Sequence, residues 1–184
     1  AGKRYYMRLE EISPTLVAAT IAIEDKDFYI HKGYDPFAIL RAFWQNLQGG
    51  ETVSGASTIT QQLSRALLLS PEERTSRTYI RKVREAILAS EVERRYSKDE
   101  ILELYLNEIY YGNMAYGIEA AAETYFSKTA GELTLGESAF LAGLPQAPSV
   151  YDIYTARDYT LVRFQNVLLA MLALNEERGC IYVS

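Results

Sequence analysis

Helix-start signals spaced along the chain constrain the fold more than any other feature of the sequence. Ser13-Pro14 reads as a helix N-cap followed by proline at the first helical position. Ser97 with Glu100 has the spacing of a capping box, and the same pattern recurs further along the chain. The apolar–polar alternation of half-buried strands is scarce. The sequence therefore predicts an all-α fold.

The predicted helices cover most of the chain. The first opens at Ser13-Pro14 and closes near Asp27, and a capping box of Thr134 with Glu137 opens a helix that stops at Pro145. The other predicted helices are Ile59–Leu69, Ile80–Arg94, Lys98–Asn107, Ile118–Phe126 and Tyr159–Leu174. Because no repeat or linker separates them, we predict one domain over residues 1–184, and the abrupt ends of the chain indicate a domain excised from a longer parent.

Composition excludes several classes of protein. The 48% hydrophobic and 23% charged content of the 184 residues is typical of a globular domain. A net charge of −5 argues against general nucleic-acid binding, which needs a basic surface. A single cysteine, Cys180, excludes an internal disulfide and a thiolate zinc cluster, whereas a hard cation held by carboxylates stays open.

Glu24 is the strongest candidate for a catalytic base. It lies near the predicted C-terminus of the first helix, and Asp25 and Asp27 follow closely. The negative helix end and these like charges should raise the pKa of the Glu24 carboxyl, which suits a general base near neutral pH. We therefore predict that Glu24 acts as a base and is not half of a structural ion pair. Nearby, His31 is expected to be a structural hydrogen-bonding residue and Phe28 a core residue.

Two further segments have alternative interpretations. The apolar segment Pro36–Gly50 predicts either core packing or a flap that touches lipid with Trp44 at the interface. In the predicted helix that follows, Thr58, Gln62 and Arg65 fall on one face. That face could offer polar groups to a cleft, but a capped amphipathic helix with a solvated polar face explains the periodicity equally well. The second interpretation does not explain why the face avoids acids.

A basic cluster precedes and enters the next helix. Between residues 64 and 84 there are six basic and two acidic residues, although the chain is acidic overall. Arg77, Arg81 and Glu85 share a helical face, and Glu85 borders an apolar segment. We expect Glu85 to be partly buried, with cationic partners and an Arg81–Glu85 salt bridge. Such a cluster suits a diphosphate, which guanidinium groups bind in forked geometry.

Taken in order, these elements resemble the motifs of the peptidoglycan glycosyltransferases. These are the transglycosylase domains of penicillin-binding proteins and monofunctional transglycosylases, which polymerise lipid II in bacterial cell-wall synthesis. Glu24–Gly33 matches the family pattern Glu-Asp-x-x-Phe-x-x-His-x-Gly in full, and Gly55–Gln62 matches the second motif except at Ala56. Arg81–Glu85 and Lys98–Asn107 match the third and fourth. We expect the fourth to be mainly scaffold, with Glu103 and Asn107 as satisfied polar groups of the core.

Besides Ala56, the chain departs from the family at three further places. Arg65-Ala66 stands where relatives usually have Lys-Asn, so the positive charge is kept and the side-chain amide is lost. The loop after the second motif is longer, and either Arg74 or Arg77 could fill the phosphate-binding arginine position. Helical spacing to Glu85 favours Arg77. The late Arg-Arg-x-x-Val-Leu motif survives only as Arg163–Leu168.

The resemblance implies a lysozyme-like, two-lobed helical fold with a small apolar lobe near the membrane and a cleft between the lobes. It implies that Glu24 takes the proton from the 4-hydroxyl of the acceptor sugar while undecaprenyl diphosphate leaves with inversion. Glu85 would orient the cations or assist the leaving group. The substrate-binding residues implied are Asp25, Ser57, Thr58, Gln61, Gln62, Arg65, Arg77, Arg81 and Lys82.

The resemblance also implies partners and a location. The partners are lipid II, the growing glycan strand, the membrane surface and inhibitors of the moenomycin type, with no nucleic acid. A divalent cation, Mg or Mn, at the diphosphate stays open. The location is the extracytoplasmic face of the bacterial cytoplasmic membrane, reached through an N-terminal helix outside this chain. Two alternatives are a lysozyme-like glycoside hydrolase, which also uses two carboxylates, and a catalytically silent wall-binding module.

Overall fold

The computed structural model of the chain describes residues 5–33, 57–70, 72–73 and 79–179. Regular structure within these residues consists of α-helices and two 3₁₀ turns, and the one β-bridge there joins Tyr110 to Tyr116. The prediction of an all-α fold is confirmed. The apolar segment Pro36–Gly50 lies outside the described residues.

The described helices follow the predicted order. They are α1 (Pro14–Glu24), α2 (Ile59–Leu68), α3 (Tyr79–Arg95), α4 (Lys98–Glu108), α5 (Ile118–Phe126), α6 (Leu135–Gly143) and α7 (Arg157–Arg178). The 3₁₀ turns are Leu9–Glu11 and Ala130–Glu132. None of the described helices is both long and apolar enough to span a bilayer.

The capping signals place most helix starts correctly. Thr134 and Glu137 form the predicted capping box at α6, and Ser97 and Glu100 exchange backbone and side-chain hydrogen bonds at α4. The predicted end of α1 near Asp27 is wrong, because the chain leaves the helix after Glu24 and turns, with the Ile30 N–H donating to the Asp27 carbonyl at 2.8 Å.

The chain divides into two compact units. The first comprises Ala1–Lys26 and Glu103–Ser184, and the second comprises Asp27–Leu102. The boundary between the units therefore falls inside the first predicted motif, between Lys26 and Asp27, and again inside α4, between Leu102 and Glu103. The predicted base Glu24 belongs to the first unit, and the predicted diphosphate-binding helices α2 and α3 belong to the second.

In the first unit, α1 packs against α6 and α7, and α6 packs against α7. At the centre of this contact lie the buried side chains of Ala19, Ala139, Ala142 and Val167. The alanines let the helix backbones approach closely, and larger side chains fill the space around them: Ile23, Phe164, Leu168 and Met171. This packing holds the last turn of α1, which carries Glu24, against the other two helices.

Two polar side chains of α4 fix the N-terminal segment of the same unit. The Asn107 amide accepts from the Met7 N–H and donates to the Met7 carbonyl, both at 2.8 Å. The Glu103 carboxylate accepts from the Leu9 N–H and the Tyr6 hydroxyl, both at 2.6 Å. The prediction that Glu103 and Asn107 are satisfied polar groups of the scaffold is confirmed.

In the second unit, α2 packs against α3, and Phe28 is fully buried beneath the ammonium of Lys98, which lies 4.5 Å from the ring centroid. The His31 Nδ1 accepts the Gly33 N–H at 3.2 Å. The predicted core role of Phe28 and hydrogen-bonding role of His31 are both confirmed. Gly33 has φ +85°, and a Cβ there would lie 2.9 Å from the Ala89 carbonyl oxygen, so only glycine fits.

Candidate active site

Glu24 and Arg163 form a buried ion pair in the first unit. Arg163 Nη2 lies 3.0 Å from Glu24 Oε1, and the two side chains are only 12% and 6% exposed. The same guanidinium donates through Nε to the Gly143 carbonyl at the end of α6, at 3.1 Å. One arginine of α7 therefore joins the C-terminal ends of α1 and α6.

The prediction that Glu24 is not half of an ion pair is wrong. It considered only local neighbours, whereas Arg163 lies 139 residues further along the chain. A guanidinium at this distance favours the ionised carboxylate, which opposes the effect expected from Asp25 and the helix end. An ionised carboxylate is also the state that a base requires, so the assignment of Glu24 as base stays a prediction.

Arg163 is the residue that the sequence interpretation left without a role. In the sequence, Arg163 is the arginine that this chain retains from the incomplete late motif. Nothing in that motif indicates that Glu24 is the partner of this arginine. Packing around Arg163 is close: its guanidinium lies 5.7 Å from the ring centroid of Tyr151. A Cβ at Gly143 would meet Arg163 Cγ at 3.1 Å, so the absence of a side chain there makes room for the arginine.

Tyr111 also belongs to the surroundings of Glu24. Its ring is buried, and its hydroxyl makes no hydrogen bond with any residue that the structure describes. Burial, and then the charge of Glu24, raise the pKa of the Tyr111 hydroxyl far above its usual range. Tyr111 is therefore neutral near neutral pH.

A second charged cluster lies in the second unit around Glu85. Its carboxylate is fully buried, with Oε1 in direct contact with Arg81 and Oε2 3.1 Å from Lys82 Nζ. Lys82 Nζ also donates to Ser57 Oγ at 2.5 Å. The predicted cationic partners of Glu85 and its salt bridge with Arg81 are confirmed, and burial is more complete than predicted.

The start of α2 is a capping box formed by Thr58 and Gln61. The Gln61 N–H donates to Thr58 Oγ1 at 3.1 Å, and the Thr58 N–H donates to Gln61 Oε1 at 3.0 Å. Thr58 Oγ1 also donates to the Gly33 carbonyl at 2.7 Å, and Gln62 Nε2 lies 3.5 Å from the Ser57 carbonyl. On the polar face of α2, Thr58 and Gln62 are therefore buried and not solvated, whereas Arg65 is half-buried. Substrate contact by these side chains stays a prediction.

The remaining predicted site residues fall into two groups. Arg65 is half-buried and makes no ion pair with the described residues. Asp25 is half-buried directly after α1. Gly55, Ala56, Arg74 and Arg77 lie outside the described residues, so the choice between the two arginines stays a prediction.

The described residues provide no cluster of ligands for a metal ion held by the protein alone. No group of three or more His, Cys, Asp or Glu side chains is arranged around a common point in the part of the chain that the structure describes. Both Glu85 oxygens face cationic side chains, which leaves that carboxylate unsuited to coordination. We therefore assign no step to a divalent cation.

Comparison with known proteins identifies the family. Residues 1–172 match the family model described as Transglycosylase. The chain belongs to the transglycosylase family. This transglycosylase chain is 49% identical over 170 residues to Penicillin-binding protein 1A of Escherichia coli (strain K12), covering 92% of the chain and 20% of that protein. The family resemblance drawn from the four motifs is confirmed.

Two other relatives give the same result. The transglycosylase chain is 48% identical over 167 residues to Penicillin-binding protein 2D of Bacillus subtilis (strain 168), covering 88% of the chain and 24% of the relative. It is 46% identical over 170 residues to Penicillin-binding protein 1A of Aquifex aeolicus (strain VF5), covering 92% and 23%. The chain thus spans less than a quarter of the length of these relatives.

Glu85 is predicted to be essential for folding stability. Glu85→Ala leaves Arg81 largely buried without its carboxylate, which should lower the free energy of unfolding by about 3–5 kcal/mol in urea titrations. Glu91→Ala on the exposed part of α3 is the matched control and should change little. The double variant Arg81→Met/Glu85→Leu should recover much of the loss. A Glu85→Ala protein as stable as the parent would contradict the buried-pair assignment.

Proposed function

We propose that this domain is a peptidoglycan glycosyltransferase that polymerises lipid II into β-1,4-linked glycan strands. Family membership supports a glycosyl transfer, and the observation that carries the finer assignment is the cationic site on α2 and α3. Arg65 makes no ion pair with the described residues, and Lys82 is half-exposed beside Ser57. Cationic groups of this kind suit a diphosphate leaving group.

The acceptor side of the reaction is assigned to Glu24. Its carboxylate takes the proton from the 4-hydroxyl of the acceptor lipid II sugar as that oxygen attacks the anomeric carbon of the growing strand. The bond between the anomeric carbon and the diphosphate oxygen breaks, so the new linkage forms with inversion. The buried ion pair with Arg163 favours the ionised carboxylate, which is the form that can accept a proton, while the same cation lowers its basicity.

The leaving-group side is assigned to the second unit. Arg65, Arg81 and Lys82, with Arg77, neutralise the charge that develops on undecaprenyl diphosphate. Glu85 holds Arg81 in place through Oε1 and lies within ion-pair distance of Lys82 through Oε2, which supports a role in positioning these cations. The remaining substrate-positioning residues proposed are Asp25, Ser57, Thr58, Gln61 and Gln62.

The membrane surface is the proposed location of the reaction. Ile80, Val83 and Ile87 follow one face of α3 and are 60–75% exposed. Exposed β-branched side chains in a row are unusual on a surface that faces only water, and they support contact with the apolar edge of a bilayer. The proposal places the domain at the extracytoplasmic face of the cytoplasmic membrane, anchored by a helix outside this chain, where moenomycin-type inhibitors would reach it.

A lysozyme-like hydrolase is the alternative within the same broad chemistry. Cleavage of a glycan strand needs two carboxylates and no diphosphate site, so the cations of α2 and α3 favour polymerisation. Incubation with purified glycan strands separates the two, because a hydrolase releases fragments and a polymerase does not. A silent wall-binding module would bind lipid II or moenomycin without forming polymer.

Glu24→Gln tests the assigned base. The amide cannot accept the proton, so the rate of polymerisation of labelled lipid II should fall by about 10²-fold or more. Thermal unfolding must show that the variant is folded, since the change leaves Arg163 without its anionic partner. Asp158→Asn, which removes an exposed carboxylate from the first turn of α7, is the control and should retain activity. An active, folded Glu24→Gln protein would contradict the assignment.

Arg65→Gln tests the leaving-group side. Loss of this guanidinium should weaken the binding of inorganic diphosphate in a calorimetric titration and raise KM for lipid II, whereas Arg65→Lys should retain most of both. Arg84→Gln removes an exposed arginine of α3 that already pairs with Glu73, and it should leave both quantities unchanged. Equal binding by the Arg65→Gln protein and the parent would remove Arg65 from the diphosphate site.

A further inference from the structure

We propose that Arg163 is a positioning residue that keeps Glu24 ionised and holds its carboxylate in a single orientation for proton transfer. The proposal rests on the proposed function, since it assigns Arg163 a part in that reaction. Arg163 acts through Glu24 and is not assigned a contact with substrate.

Two contacts fix the orientation of the Arg163 guanidinium. Nη2 contacts Glu24 Oε1 at 3.0 Å, while Nε donates to the Gly143 carbonyl at 3.1 Å. The guanidinium is planar, so fixing Nε at the end of α6 also fixes the direction in which Nη2 points. Since both side chains are largely buried, solvent and salt screen their interaction only weakly.

A second contact from α7 fixes the backbone beside Glu24. Arg178 Nη1 donates to the Lys26 carbonyl at 2.6 Å, and Lys26 Nζ lies 3.0 Å from Glu177 Oε2. The helix that carries Arg163 therefore also holds the chain just after Glu24. The second turn of α7 therefore restrains the Glu24 carboxylate. The last turn of α7 restrains the backbone that follows Glu24.

The charged and titratable groups around Glu24 come from several elements. Arg163 faces it from α7, the Gly143 carbonyl at the end of α6 binds the same arginine, and Tyr111 faces it from the segment between α4 and α5. Asp25 and Lys26 follow it in sequence. Because burial raises the pKa of Tyr111, this hydroxyl stays neutral near neutral pH, and Arg163 is a cation in direct contact with Glu24 among the described residues.

The sign of the effect on pH dependence follows from this arrangement. A neighbouring cation favours the ionised form of a carboxyl, so removing Arg163 raises the pKa of Glu24. The reaction needs ionised Glu24, and its rate falls as the pH drops through that pKa. Arg163→Gln should therefore move the acidic limb of the kcat profile to higher pH, by about 1–3 pH units.

The experiment compares four proteins in a lipid II polymerisation assay across pH. Arg163→Gln should shift the acidic limb upward, and Arg157→Gln should match the parent. Arg163→Lys should keep the acidic limb near the parent position at a lower rate, because lysine retains the charge without the planar two-point contact. Arg157 is exposed near the start of the same helix, so its loss removes equal charge without touching Glu24. An Arg163→Gln profile that is lower at all pH values but unmoved would assign Arg163 a purely structural role and overturn the proposal.

A spectroscopic readout separates this proposal from the proposed function. The ¹³C carboxyl resonance of Glu24, identified by its loss in Glu24→Gln, can be titrated in the parent and in Arg163→Gln without any substrate. Inactivity of the parent would contradict the proposed function, while an upward shift of the titration midpoint would still support the role of Arg163. An unchanged midpoint would overturn that role even if polymer forms.

Gly143→Ala keeps the test valid if Arg163→Gln does not fold. The added Cβ would lie 3.1 Å from Arg163 Cγ, so the arginine side chain must shift slightly while its positive charge is retained. We expect a shift of the acidic limb in the same direction and of smaller size. Folded Gly143→Ala protein with the parent profile and the parent titration midpoint would count against the proposal.

Discussion

The buried ion pair between Glu24 and Arg163 is the interaction on which the first unit depends. Two charges removed from water carry a large desolvation cost, which only close geometry and further hydrogen bonds offset. The hydrogen bond from Arg163 to the Gly143 carbonyl provides the second partner. This geometry requires α1, α6 and α7 to meet closely, and the small side chains of Ala19 and Ala139 at their contact allow it. The same close packing of helices therefore forms this part of the core and places the candidate base.

The second unit also contains a buried ion pair, but there the buried group is the acid and the groups it supports are cations. In the first unit a buried cation supports an acid, whereas in the second the buried acid Glu85 supports the cations Arg81 and Lys82. In each case the group proposed to act in the reaction is held by a group of opposite charge. This arrangement explains why removing a supporting residue should affect both stability and activity, and why a control for folding is needed beside every activity measurement.

Local features of the sequence were predictable, and distant ones were not. The capping boxes at α4 and α6 and the Arg81–Glu85 pair depend on residues three or four positions apart, so spacing alone identifies them. The partner of Glu24 could not be identified in this way, since it is 139 residues away. The burial of Thr58 and Gln62 on the polar face of α2 was also not predicted. Helical periodicity shows which residues share a face but not what covers that face.

The most direct test of the proposed reaction counts its two products. Parent protein is incubated with lipid II, and the glycosidic linkages formed and the undecaprenyl diphosphate released are quantified together, with the new anomeric centre assigned by NMR. The account predicts one diphosphate released for each new linkage, in the β-1,4 configuration. Reducing glycan fragments formed without release of diphosphate, or linkages of the opposite configuration, would contradict it.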